Sequence, residues 1–524
     1  MKRLLGKTAI GAAGLVTLLL VPMQACTDLN EVPSSSITPN NFFRNEAEVL
    51  AGLAGVYAQL RGTAPNASYY TMSEISTDEM VVPTRGQDWY DNGAWLEMHN
   101  MTWTASSIEG LGDINGVWNT AYAGIARANV FLSAVANVTV PDKDGIIAEA
   151  RTLRAFYYYM LMDFFGGVPI VTTTEIAQRP RNTRREVFDF IESELIAARD
   201  SGLPATRSAA DNGRITQGAA DAILANMYIN AGVFTKDNGI NASAYNSCQG
   251  VTVSGGQDAC DAAIAAADRL INSPNYQLAA NFGDNFSPDN DQSPENIFVV
   301  KYIAQNALGN VWVMQGLHYN QFGPPTPWNG FATLAETYDA FDPADLRRQV
   351  ILIGPQNNVL TGQPVNDRQG ARLVFTDTIQ DIRAATEGEG PRIYKYPADP
   401  NHVAENNGND FVWFRLGEMY LIKAEALWAK GSPDATILNP LRTRAGLAPL
   451  GTIDAPTLLR ERMFEMLGEG KRRQDLIRFG QYTGRVDPAY MAGGKQSADG
   501  HYVLMPIPQT QLDANPNLTQ NPGY

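Results

Sequence analysis

The chain has 524 residues, with 40 Lys plus Arg against 55 Asp plus Glu and a formal charge of −15. That acidity argues against nucleic acid or anionic lipid surfaces as partners. Four histidines and three cysteines leave little material for a metal centre, while the length is ample for a large buried core.

Residues 1–25 read as an export signal: Lys2, Arg3 and Lys7 form a positive head, Ala9 to Val21 is apolar, and small Ala25 precedes Cys26. The apolar run, about 13 residues, is short of the roughly 20 that a spanning helix needs. A cysteine directly after the cut points to a bacterial lipoprotein signal, with Cys26 as the lipid carrier. The usual box has Leu three residues before the cysteine and a small residue two before it; here Met23 and Gln24 stand there. An ordinary signal peptide with an incidental cysteine is the alternative. Residues 1–25 hold three cations and no acid, so their removal takes the charge from −15 to −18.

Helical periodicity begins after a cap at Asn45, where Leu50, Leu53, Tyr57 and Leu60 share a face and Gly62 marks the stop. Two further helices, from about Asp113 to Asn137 and from Lys143 to Phe165, form an expected antiparallel pair, the second ended by "GGVP". Helices are also expected from Arg184, from Thr216 and from Asp258. Cys248 and Cys260 flank the Gly/Ser-rich "QGVTVSGGQDA". If Cys26 carries lipid, they are an even pair in a compartment that permits disulfides, and a local bridge is expected; two free thiols are the alternative.

Residues 66–104 and 280–410 are rich in Asn, Asp, Gly, Pro and aromatics and read as irregular insertions with short strand-like pieces such as "NIFVVKYI". Beyond them, Trp413, Leu416, Gly417 and Tyr420 reproduce the W-x-x-L-G-x-x-Y of a tetratricopeptide helix, with Ala429 at the later small position and Pro433 where a Phe would stand. The reading is a helix hairpin in which Gly417 admits the partner helix.

No histidine spacing suits zinc, and neither a nucleophile elbow nor a phosphate loop occurs. Asp289, Asp291 and Ser293 alternate as in a calcium loop, but Pro294 takes the glycine position, so a solvated turn is the better reading. No catalytic residue, metal or cofactor is expected. What remains is aromatic: Trp89, Tyr90, Trp95 and Trp103 in the first insertion, and Trp312, Tyr319, Trp328, Phe331 and Tyr338 in the second. Flat rings among amides and carboxylates suit a sugar, whose C–H face packs on the ring while its hydroxyls find polar partners. Such rings also serve to pin loops to a core. Trp89, Tyr90, Trp95, Trp312 and Trp328 are the candidate ligand contacts.

Several segments together resemble the SusD/RagB nutrient-uptake outer-membrane lipoproteins: "CTDLNEVP", "EARTLRAFYYYMLMDFFGGVPIVT", "FRLGEMYLIKAEALWAKG", "LLRERMFEMLGEGKRRQDLIRFG" and the ending "MPIPQTQLDANPNLTQNPGY". The resemblance implies a mainly α fold, a superhelical scaffold of about four tetratricopeptide-like pairs with long aromatic-rich insertions and minor β. It implies a signal peptide over 1–25 and one domain over 26–524. The N-terminal part would cover about 26–235, the ligand-face insertion about 280–410, and the C-terminal part about 280–524. It implies a lipid-anchored, outward-facing, non-enzymatic lid over a SusC-like TonB-dependent barrel that captures oligosaccharides. Glu461, Arg462, Glu465, Arg472 and Asp475 of the motif read as structural, with Arg472 or Arg473 tying its helix to neighbours. A lid for peptides or other nutrients, a tetratricopeptide scaffold that binds protein only, and a glycan hydrolase are the rival readings.

Overall fold

Asn45 caps α1 (Glu46–Tyr57) by accepting the Glu48 amide at 3.0 Å, and the chain continues as a 3-10 turn through Thr63. The computed structural model describes residues 43–64, 68–107 and 112–524, so the signal segment and Cys26 lie outside it. The first insertion is more regular than its composition indicated, for it holds α2 (Ser68–Ile75) and α3 (Ala94–Asn100). Every residue of α2 from Tyr69 to Ile75 is buried, which removes the polar face that makes a helix readable.

The scaffold follows as α4 (Asp113–Val135), α5 (Lys143–Phe165), α6 (Arg184–Ser201), α7 (Gln217–Ile229) and α8 (Ala259–Ile271). After the long insertion come α9 (Leu416–Ala429), α10 (Ala455–Met466) and α11 (Arg472–Arg478). From α4 to α11 each helix packs on the next, the arrangement of stacked helix pairs. Thr183 and Glu186 close a reciprocal capping box on α6, and Asp258 caps α8.

Helix α5 is buried on nearly every side. Its polar groups are therefore partnered: Glu149 takes Tyr57 Oη, Arg207 and Arg214, and Asp163 takes Arg473 at 2.9 Å and the Gln474 amide at 3.0 Å. A disulfide joins Cys248 to Cys260 in the first turn of α8, with Cα atoms 5.0 Å apart.

Between α8 and α9, among short helical turns such as Trp312–Gly316 and Ala335–Ala340, the strands are all short: β1 (Asn296–Val300), β2 (Ile351–Leu352), β3 (Gly354–Pro355), β4 (Val374–Phe375), β5 (Arg392–Ile393) and β6 (Phe411–Arg415). They pair antiparallel as β1 with β6, β2 with β5 and β3 with β4. Trp413 accordingly stands on β6 and not on the expected helix, because α9 starts only at Leu416. Its ring still fills the core, packed edge-on against Tyr69, Phe156 and Phe411.

Gly417 also has another purpose than helix approach. A Cβ there would lie 2.5 Å from an Arg415 nitrogen and 2.9 Å from carboxylate oxygens of Glu295 and Glu465. The glycine makes room for a buried ion network. Arg415 pairs with Glu295, Glu465 and Glu469 at 2.7–2.8 Å, Arg347 with Asp345, Glu461 and Glu465, and Lys395 with Glu469. Burial raises the Glu465 carboxyl, but Arg444, Arg415 and Arg347 more than reverse this and hold it below the usual range. Arg472 reaches Asp78 at 2.7 Å, Arg473 reaches Asp163, and Asp475 holds Arg462 and Arg478, so both arginines tie α11 outward.

Candidate functional site

The turn before α3 carries a run of left-handed residues: Trp89 (φ 62°), Asp91 (37°), Asn92 (54°) and Gly93 (84°). Three of these are not glycine, and such conformations persist only where the surroundings over-determine them. Here the surroundings are aromatic. Trp89 meets Trp95 at 5.2 Å, and both meet Phe331 at 5.8 Å, all edge to face. The Trp89 indole N–H donates to the Trp328 carbonyl at 2.7 Å and the Trp95 N–H to Asp91 at 2.6 Å. Gly330 lies flush beneath Trp89, since a Cβ there would come within 2.3 Å of the ring.

Trp89, Trp95 and Trp328 are half-buried, and Tyr90 is 55 % exposed. Trp89, Tyr90 and Trp95 thus lie together on one turn, and the second insertion, some 240 residues away in sequence, meets them through the Phe331 ring and the Trp328 backbone carbonyl, while the Trp328 ring packs with Val313, Met314, Leu317 and Phe322. Trp312 does not join them. It is 5 % exposed and packed between Tyr70 and Tyr396, a core residue with no ring face for a ligand. Composition could not separate it from Trp328. Trp103 is likewise buried, against Tyr502.

Beside the platform lies a charged cluster that sequence reasoning missed. Tyr319 donates to Asp88 at 2.5 Å, the Arg368 guanidinium stacks on the Tyr319 ring at 4.0 Å, and Arg368 also bonds Asp88 and Glu387. The Asn320 amide donates to His318 Nδ1, so His318 Nε2 carries the proton it gives to Glu387 at 3.0 Å. Burial pushes His318 below its ordinary value, in keeping with a neutral ring. Burial would raise Glu387, but hydrogen bonds from the Arg368 amide, His318 and the Arg368 guanidinium bring it down to about 2. Tyr319 is pushed up to about 12 by burial and by Asp88. Behind this layer, buried Arg85 and Arg392 donate to carbonyls of the 386–391 loop and set its course. These residues come from four stretches that are well separated in the chain, 85–88, 318–320, 368 and 387–392, so no sequence signal joins them.

The arrangement offers ring surfaces and the exposed side chains of Asp91 and Asn92. It can hold a hydroxylated ligand by stacking and hydrogen bonding.

Comparison with known proteins gives two family matches. The model described as SusD family matches residues 269–524, and that described as "Starch-binding associating with outer membrane" matches residues 31–229. The starch-binding protein SusD of Bacteroides thetaiotaomicron is 25 % identical over 502 residues, covering 87 % of this chain and 85 % of that protein. Among solved structures, a SusD superfamily protein from Parabacteroides distasonis superposes with a TM-score of 0.72 at 22 % identity, covering 93 % of this chain and all of the other. Surface glycan-binding protein A from B. thetaiotaomicron, solved with laminarihexaose, gives 0.69 at 22 % identity over 91 % of this chain and 99 % of the other.

Proposed function

This chain is a SusD-like protein, and on that premise we propose that it binds an oligosaccharide at the Trp89–Trp95 platform and delivers it to a SusC-like TonB-dependent barrel. The observation that carries the reading is the strained turn on which Trp89 and Trp95 meet each other and Phe331, with exposed Tyr90 beside them. The sugar stacks on the exposed ring surfaces, and Asp88, Asp91 and Asn92 accept or donate to its hydroxyls. Relatives named for starch binding and glycan binding support the same class of ligand. In this reading the protein captures and releases its ligand unchanged. Cys26 carries the lipid that holds it to the outer membrane, facing outward, and the stacked helices form the rigid frame that bears on the barrel.

Titration of an array of oligosaccharides tests the binding step. At least one glycan is expected to bind, and Trp89→Ala or Trp95→Ala is expected to weaken it at least tenfold, the scale of roughly 1–1.5 kcal/mol for a lost aromatic contact. Unchanged affinity in the Trp89, Tyr90, Trp95 and Trp328 alanine variants would remove the platform. Mass spectrometry of proteins co-purified from mildly solubilised membranes tests the partner, with a stoichiometric barrel expected.

A further inference from the structure

A second opening lies on elements that the platform does not use. The 205–216 loop and the 275–299 segment enclose a cleft of about 330 Å³ whose lining includes Thr206, Arg207, Asn275, Tyr276, Asn296 and Val299. That volume is at the lower end for small-ligand sites, of roughly 300–1,000 Å³.

The walls are fixed from behind. Arg207 and Arg214 both pair with fully buried Glu149, and Arg214 also pairs with Asp211. The Asn212 side chain ties the loop across to the Asp291 carbonyl at 2.7 Å. Tyr276 is held by Thr216 at 3.1 Å and stands over Gly218. The cleft therefore needs little ordering to receive a ligand.

Its available groups are those that meet hydroxyls. Thr206, Asn275 and Gln292 are exposed, and Tyr276 and Ile297 supply apolar surface. Asn296 spends its Nδ2 on the carbonyls of Asn285 and Asn290, and its Oδ1 is a buried acceptor with no hydrogen-bond partner. An acceptor left without a donor in this way is unfavourable, and a hydroxyl that reached it would relieve the cost. Both cations of the lining are already neutralised, and exposed Asp291 disfavours an anion.

We infer that this cleft is a second carbohydrate site, independent of the platform, that takes one or two units of a neutral sugar. The inference rests on the glycan-binding reading for its ligand class and not for its residues.

The test is calorimetric titration of the purified full chain in detergent with neutral malto-, laminari-, xylo- and manno-hexaoses, with an oligogalacturonate as the acidic control. Two sites are expected. The Trp89→Ala/Trp95→Ala variant should keep one of them, and Thr206→Trp, which plugs the cleft from its exposed rim, should weaken that one at least tenfold. Asn275→Ala gives a milder loss and guards against misfolding of the larger substitution. If the double tryptophan variant loses all binding, the second site is overturned and the platform stands. If residual binding ignores both cleft variants, or the galacturonate binds the cleft as well as the neutral sugars, the inference also fails. If the double tryptophan variant changes nothing while Thr206→Trp abolishes binding, the cleft stands and the platform falls. No binding of any of these sugars by the unaltered chain overturns the cleft as a neutral-sugar site.

Discussion

Arg415 and Arg368 each bridge carboxylates from distant parts of the chain, Arg415 with no exposed surface and Arg368 with 48 % of its side chain in water. Around Arg415 the charges are enclosed with Glu295, Glu465 and Glu469 and serve as internal fasteners between the insertion, β6 and α10. Around Arg368 the partner Asp88 is itself 40 % exposed, beside rings that reach solvent. The same ion-pair chemistry is thus committed to the fold in one place and open to exchange in the other. Burial decides which, because a dry charge that loses its partner has nothing to replace it.

The comparison can be broken most severely at the dry end. Arg415→Met leaves three buried carboxylates short of a cation, and a loss of about 3–5 kcal/mol is expected, read as a lowered denaturant midpoint or failure to fold. Cys248→Ser with Cys260→Ser should cost about 2–3 kcal/mol, since the bridge closes a short loop; equal melting of oxidised and reduced protein would refute that contribution.

A third prediction concerns pH. Glu74 and Glu79 are neighbouring buried carboxyls that accept the amides of Gly470 and Gly468 respectively. Burial drives Glu79 up to about 8 and Glu74 well above its ordinary value. The native state therefore keeps a proton that the unfolded chain gives up above the ordinary carboxyl value of 4.5. This contribution is complete below that value and fades as pH rises toward about 8. Melting temperatures measured between pH 5 and 9 should fall on this account, and Glu79→Gln should flatten the slope. The smallest change is at the wet end: Arg368→Ala should cost under about 1 kcal/mol of stability while lowering glycan affinity, so a large loss of stability would erase the contrast.

Much of the scaffold was legible because its helices announce themselves locally. Lys143–Phe165 was read at both ends from its period and its Gly-Gly-Val-Pro exit, and Thr183 with Glu186 is a cap visible in the text of the chain. Helix α2 is hidden because it is buried all round, and Trp413 reads as helical because the strand β6 runs directly into α9 with no turn between them. Aromatic composition marks two insertions, yet it does not tell Trp328, half-buried, from Trp312, beneath Gly468 in the core.

Export, acidity, a helix-pair scaffold and two aromatic insertions were determined by the sequence, for each depends on residues close together in the chain. Tertiary structure alone decided which rings share a face, which arginines are sealed, and that Asp88, Tyr319, Arg368 and Glu387 form one cluster. Those facts depend on contacts between residues as far as 394 apart, and only the closed core fixes their distance from water.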